Sequence, residues 1–262
     1  MSVFAANNTA LITGGASGIG LAVAQLCRKH GMRVAIADWN TDTLAKAKET
    51  LGGDVSTYQT DVSQPAAWDE LRASISTAFG AQGPDLLMLN AGTLSTNLSG
   101  VVNGLNAFVP ALKDRAGPAA IVITGSKQGI TNPPGNPAYN ASKAAVKALA
   151  EHLAFDLRDT PTQVHLLVPG WTFTGLSGGG PGSAKAKPDG AWAPEQVADY
   201  LYGKMKEGKF YVICPDNDVS EETDKKRMLW SVGDVVQGRP PLTRWREEYK
   251  EEAEKWMKEQ KV

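Results

Sequence analysis

The sequence predicts a single α/β domain: a doubly wound, mostly parallel sheet with helices on both faces. Short runs of β-branched and aliphatic residues alternate with longer amphipathic patterns along most of the chain. Those short runs are almost continuously apolar, as strands covered on both faces must be. A glycine cluster also stands where the first strand meets the first helix, and 262 residues suffice for one substantial core.

Thr9 to Thr13 reads as the first strand and Ile19 to His30 as the first helix. Arg33 to Ala37 and Leu44 to Leu51 repeat the unit. Further strands are expected at Thr57 to Gln59, Leu86 to Leu89, Ala120 to Thr124 and Val164 to Val168. Helices fall between them at Trp68 to Phe79, Val101 to Leu112 and Ala138 to Arg158. Gly175 to Gly190 is too rich in glycine and proline for regular structure, so residues 175–192 are expected to form a flexible loop with Trp192 as its anchor. A helix from Pro194 to Lys206 and a strand from Phe210 to Ile213 resume the alternation. Residues 243–262 read as a C-terminal helical extension: Trp245, Tyr249, Ala253 and Trp256 share one face, and Glu251–Lys255 and Glu254–Lys258 are i,i+4 pairs. The aromatic stripe suits either an internal core contact or a subunit contact. Neither an internal repeat nor a second domain is expected within residues 1–262.

A net charge of −1 offers no basic field to nucleic acid or to an anionic membrane. No apolar run approaches the roughly 20 residues of a spanning helix, and Met1 to Asn8 lacks the features of a secretory signal. Cys27 and Cys214 sit in apolar runs and read as small buried hydrophobes of a reducing compartment, so a cytoplasmic location is expected. His30, His152 and His165 lack ligand spacing, and no metal site is expected.

Two clusters carry chemistry. Thr13-Gly14-Gly15-Ala16-Ser17-Gly18-Ile19-Gly20 joins the first strand to the first helix, where glycines let the backbone approach a pyrophosphate and the helix end offers free N–H groups. Asp38 ends the second strand. A carboxylate there accepts both ribose hydroxyls of NAD and repels the 2′-phosphate of NADP, although Asp38 is otherwise a turn residue opening Asp38-Trp39-Asn40. In the second cluster, Tyr139 and Lys143 lie four apart on one helical face. A free phenol, with a pKa of about 10, is a poor acid or base near neutrality, and a neighbouring cation brings a phenol towards the working range. Ser126, just past a strand, is placed to hydrogen-bond a reacting oxygen.

Taken together, Thr13 to Gly20, Asn90-Ala91-Gly92, Ser126, Tyr139, Lys143 and Pro169-Gly170 resemble the short-chain dehydrogenase/reductase family. Ser126 stands thirteen residues before Tyr139, as in that family's pattern. The resemblance covers roughly residues 8 to 215 and implies a Rossmann-type fold, a nicotinamide cofactor and a carbonyl or alcohol substrate. It implies Tyr139 as the proton donor or base, Lys143 as its electrostatic partner and ribose ligand, and Ser126 as the holder of the substrate oxygen. Asn97 would be the family's helix asparagine, carrying a proton-relay water to the lysine. Gly14, Ser17, Gly18, Ile19, Gly20, Asp38, Asp61, Val62, Asn90, Ala91, Gly92, Pro169, Gly170, Thr172 and Thr174 would line the cofactor, with Asp61 and Val62 beside the adenine. The resemblance also implies a homodimer or homotetramer built largely on the helix from Ala138.

The chain departs from the family in three places. Only seven positions separate Asn90 from Asn97, short of a loop and half a helix. This is either a true deletion or a sequence from which a segment is missing, the second being preferred. Lys127 and Gln128 follow Ser126 where small residues are usual, and Val168 and Trp171 flank Pro169-Gly170 unusually. Gln128, Trp171 and Leu176 are the candidate substrate contacts, with core filling an equal reading for Trp171. The leading expectation is an NAD(H)-dependent alcohol dehydrogenase or ketone reductase, with NADP(H) as the alternative cofactor. The competing readings are a nicotinamide-binding sensor without turnover, and a biosynthetic reductase that also guides cyclisation or isomerisation.

Overall fold

The structure, a computed structural model, describes residues 2–92, 96–179 and 185–262. The apolar runs pair into strands, because backbone groups buried on both faces need partners along the sheet. These are β1 (Thr9–Thr13), β2 (Arg33–Asp38), β3 (Val55–Gln59), β4 (Leu86–Leu89), β5 (Ala119–Thr124), β6 (Thr162–Val168) and β7 (Tyr211–Ile213). All pair in parallel, in the order β3-β2-β1-β4-β5-β6-β7. The winding therefore reverses between β1 and β4, and a crevice opens there at the carboxyl ends of the strands, where sheets of this kind bind ligands.

Two cores flank the sheet. Alternation sends Ala10 and Ile12 into one and Leu11 into the other. The first is closed by α1 (Gly18–Lys29), α2 (Thr41–Leu51) and α7 (Pro194–Lys206). The second is closed by α3 (Pro65–Phe79), α4 (Ser99–Lys113) and α6 (Pro137–Asp156). Several helices start a few residues before the apolar pattern that marks them, because their first turns carry capping or helix-starting residues. Asn40 accepts the Thr43 N–H at 3.0 Å to cap α2, and Pro65 stands at the start of α3.

Three helices complete the described chain: α5 (Gln128–Thr131), α8 (Glu221–Val236) and α9 (Lys250–Glu259). The C-terminal extension thus begins at α8, ahead of residue 243. The sequence hid this helix because two of its three fully buried residues are charged, Asp224 and Asp234, beside Trp230. Trp230 donates from Nε1 to Thr243 Oγ1 at 2.8 Å, lies under the Arg239 guanidinium at 3.9 Å, and meets Trp256 edge-on at 5.5 Å. The expected aromatic stripe is only partly realised. Ala253 is buried and Trp256 packs on Trp230, but Trp245 and Tyr249 fall in short 3-10 turns and Trp245 is exposed. Among the described residues neither Glu251–Lys255 nor Glu254–Lys258 forms an ion pair. Both cysteines are buried free thiols, their pKa pushed up to about 12 by burial. Among the described residues no helix is long and apolar enough to cross a membrane.

Candidate active site

The glycine loop occupies the crevice beside β1. Gly14 and Gly18 adopt φ of +65° and +52°, which side chains resist. A Cβ on Gly14 would sit 3.0 Å from the Ala91 Cα, and one on Gly20 would overlap the Gly14 carbonyl oxygen. The loop is therefore folded tightly against Asn90-Ala91. Asn90 braces it, donating from Nδ2 to the Thr13 carbonyl at 3.2 Å and accepting at Oδ1 from Thr124 Oγ1 at 3.2 Å. The Ala91 N–H reaches Thr13 Oγ1 at 3.1 Å. Ser17 occupies the N-cap position of α1 without a capping bond from its side chain, and Gly18, Ile19 and Gly20 form the first turn.

Asp38 lies across this loop. Its Oδ2 accepts the Ala16 N–H at 3.3 Å and its Oδ1 the Asn40 N–H at 3.4 Å, so both oxygens are oriented at the β2 end of the crevice. Asp61 is exposed in the next turn, its pKa lowered by hydrogen bonds from the Ser63 hydroxyl and N–H. Val62 is buried against Gly100, and its carbonyl accepts from Trp68 Nε1 at 2.9 Å. The cradle of glycines and the acid at the β2 end together fit a dinucleotide.

The second cluster gathers at the ends of β5 and β6. Ser126 is half-buried two residues past β5, and its Oγ accepts the Gln128 N–H at 3.2 Å. Asn136 caps α6 through the Tyr139 N–H at 3.3 Å, placing Tyr139 in the first turn, half-buried, and Lys143 one turn on. The Lys143 ammonium donates to the Thr124 carbonyl at 2.9 Å and lies 5.9 Å from the centre of the Tyr139 ring. Burial lowers its pKa to about 8. Asn97 is buried and its Nδ2 reaches Ser142 Oγ at 3.4 Å, touching the same turn of α6. It is not inside a helix, as the resemblance implied, but in the turn before α4. Gly92 faces the Asn97 side chain.

Pro169-Gly170 follows β6, and the Pro169 carbonyl accepts the Lys127 N–H at 3.1 Å. Trp171 is 49% exposed and too open to be core filling. Thr172 is buried and pairs in a parallel bridge with Trp192. The Trp171 carbonyl accepts the Trp192 N–H, and the Trp192 carbonyl the Phe173 N–H, each at 2.9 Å. Trp192 thus anchors both ends of the glycine-rich loop and stacks edge-on against Tyr200 at 5.7 Å. Thr174 leans on Gly18, bringing the loop base to the glycine cradle. Within the loop Gly175–Ser177 forms a 3-10 turn. The Leu176 side chain and residues 180–184 lie outside the described residues. Gln128 is exposed at the head of α5. Sequence reasoning missed Asp216 and Asp224, whose ion pairs with Lys127 cross between distant segments that no local pattern links.

The model of the short chain dehydrogenase family matches residues 8–179. A 1-deoxy-11-beta-hydroxypentalenate dehydrogenase of Streptomyces avermitilis is 31% identical over 246 residues, covering 85% of this chain and 90% of that protein. An NADP-dependent (R)-specific alcohol dehydrogenase of Lentilactobacillus kefiri is 33% identical over 188 residues, covering 64% of this chain and 74% of its own. A short-chain dehydrogenase/reductase of Burkholderia phymatum, solved in complex with NAD, superposes with a TM-score of 0.81 at 28% identity over 92% of this chain and 98% of its own. With the sheet order, the glycine cradle and the Tyr139–Lys143 turn already in place, these matches settle the kinship: the chain belongs to the short-chain dehydrogenase family of NAD(P)-dependent oxidoreductases.

Proposed function

We propose that the protein is an NAD(H)-preferring dehydrogenase that interconverts a ketone and a secondary alcohol. The observation that carries this reading is the buried Lys143 ammonium one turn after Tyr139, at the end of β5 where Ser126 stands. When bound, the cofactor supplies or accepts the hydride. In reduction the Tyr139 phenol gives its proton to the carbonyl oxygen, and in oxidation it takes the proton back from the alcohol. Ser126 Oγ hydrogen-bonds that oxygen, and the Lys143 charge favours the phenolate left behind. Asn97, lodged against Ser142, is assigned the relay water. Gly14, Ser17, Gly18, Ile19, Gly20, Asn90, Ala91 and Gly92 are assigned to the dinucleotide, Asp61 and Val62 to its adenine. Pro169, Gly170, Thr172 and Thr174 take its nicotinamide and pyrophosphate side.

NAD rather than NADP is assigned from Asp38, whose carboxylate faces the loop where a 2′-phosphate would lie. Trp171 and Gln128, both exposed, are assigned to the substrate pocket with Leu176. The loop stapled by Trp192 is assigned as its lid, excluding water on closure. A homodimer or homotetramer in the cytoplasm completes the proposal; the exposed Phe155 near the end of α6 favours a contact there. The sensor and cyclising-reductase readings are not favoured by the comparisons. The test is NADH and NADPH oxidation over a panel of ketones, aldehydes and quinones, with Tyr139→Phe in parallel. Turnover lost in the variant while NADH binding persists is the expected result; equal turnover by both proteins would overturn it.

A further inference from the structure

Lys127 separates Ser126 from Gln128, yet its side chain is only 12% exposed. Its ammonium pairs with Asp216, just past β7, and with Asp224 Oδ2 at 2.7 Å in the first turn of α8. Both carboxylates are themselves sheltered, Asp224 completely. Each has a second duty: Asp216 Oδ2 accepts the Trp171 N–H at 3.2 Å, and Asp224 Oδ1 accepts from Arg227 Nη1 at 3.2 Å. Backbone contacts reinforce the knot, since the Lys127 N–H donates to Pro169 and its carbonyl accepts the Thr131 N–H at 2.9 Å. At Gly170 a Cβ would lie 2.9 Å from the Lys127 Cε and would overlap Asp216 Oδ2, so the turn closes directly over the pair.

Lys127, through its ammonium, its backbone N–H and the shared Asp216, thus joins the segments that leave β5, β6 and β7 and ties them to α8. An exposed ion pair in this position would contribute little. A sheltered one is different, because removing the lysine leaves two carboxylates without their counter-charge in a low-dielectric setting. Asp216 also holds the Trp171 N–H, so the disturbance passes to the turn that follows Pro169.

We propose that Lys127 is a positioning residue whose ammonium clamps the Ser126 segment to the Trp171 turn and to α8, making the C-terminal segment part of the alignment of the active site. The proposal rests on the role assigned above to Ser126. It separates the C-terminal extension from a mere surface addition: α8 supplies Asp224 to a clamp that begins one residue from a reacting group.

The test compares Lys127→Met and Lys127→Arg in the full chain, with Asp224→Asn as a milder variant should the methionine protein not fold. On the best ketone from the panel, Lys127→Met is expected to lower kcat by about tenfold to a hundredfold, the usual penalty of a small misplacement. NADH affinity by fluorescence titration should fall several-fold less than kcat, since the glycine cradle keeps its contacts and only the Pro169-to-Thr172 side of the cofactor is disturbed, and Lys127→Arg should recover most of the rate. Amide hydrogen exchange should quicken over residues 125–131, 169–173 and 221–228 in Lys127→Met, with β1 and β2 unchanged. Loss of NADH affinity in step with turnover, no rescue by arginine, or unaltered exchange in those segments would each overturn the clamp. Should the wild type turn over nothing, the dehydrogenase reading fails separately, and the exchange measurement still decides whether the clamp exists.

Discussion

Gly129 lies so close to Lys143 that a Cβ on the glycine would stand 2.6 Å from the lysine carbonyl carbon. The short helix after Ser126 therefore rests directly on the backbone of α6, one turn beyond Tyr139. No flexible side chain intervenes that could give way. Gly129→Ala should push α5 from α6 and destabilise the fold by about 1–3 kcal/mol, as overpacking does. Turnover should fall as well, because the two segments carry Ser126 and Tyr139. Urea unfolding and kcat on the same sample check this; a variant as stable and as active as the wild type would refute it.

Lys143→Met should produce a protein without turnover but with greater stability near neutrality. The fold lowers the lysine pKa from 10.5 to about 8 by burial, so the folded state disfavours the charged amine. Between those two pH values the folded protein binds fewer protons than the unfolded chain. The cost of burying the charge is thus complete below about pH 8 and fades as pH rises to 10.5. At pH 7 the variant should gain up to about 3 kcal/mol, less what the lost bond to the Thr124 carbonyl contributes. Denaturant midpoints at pH 7 and pH 10 should show that advantage shrinking.

His165 predicts an acid limit. It is buried on β6, with Nδ1 at 2.7 Å from the Lys209 carbonyl and Nε2 without a hydrogen-bond partner among the described residues. Burial lowers its pKa below 6.5, so the fold favours the neutral ring. Its contribution to stability is therefore present above pH 6.5 and lost as the solution is acidified through the lower, folded-state value. Denaturant midpoints between about pH 7.5 and pH 5 should fall more steeply for the wild type than for His165→Gln, which carries no titrating group there.

Asp38→Ala should narrow the preference for NADH over NADPH, chiefly by admitting the 2′-phosphate. The carboxylate is anchored by the Ala16 and Asn40 N–H groups, and its charge is the repulsive element that such discrimination needs. The ratio of kcat/KM for the two cofactors measures it. An unchanged ratio would assign the choice to another residue.

The sequence was most legible where burial is apolar and complete. Ile121, Val122 and Ile123 could only be a central strand, and they are fully buried in β5. Likewise the glycines between Thr13 and Gly20 announce a sharp turn from strand to helix, and there Gly14 and Gly20 pack backbone against backbone. The reading failed where polar groups do the burying. α8 turns Asp224 and Asp234 inward, so its apolar period points the wrong way. The partners of Lys127 lie about ninety and a hundred positions away, beyond any local pattern. The family resemblance makes Asn97 a helical residue, yet it stands in the turn before α4, at the end of the Asn90–Asn97 run where the sequence departs from the family.

The bridge between Thr172 and Trp192 has an evolutionary consequence. Because Trp171, Thr172 and Phe173 pair with Trp192, the two ends of the intervening stretch are held to each other, and a change in its length can be absorbed between them. Closing a longer loop costs little, about 0.6 kcal/mol for each doubling of length. The loop proposed above as the substrate lid would then be a cassette with fixed sockets, which natural variation or an engineer can exchange while Tyr139, Lys143 and the glycine cradle stay where they are.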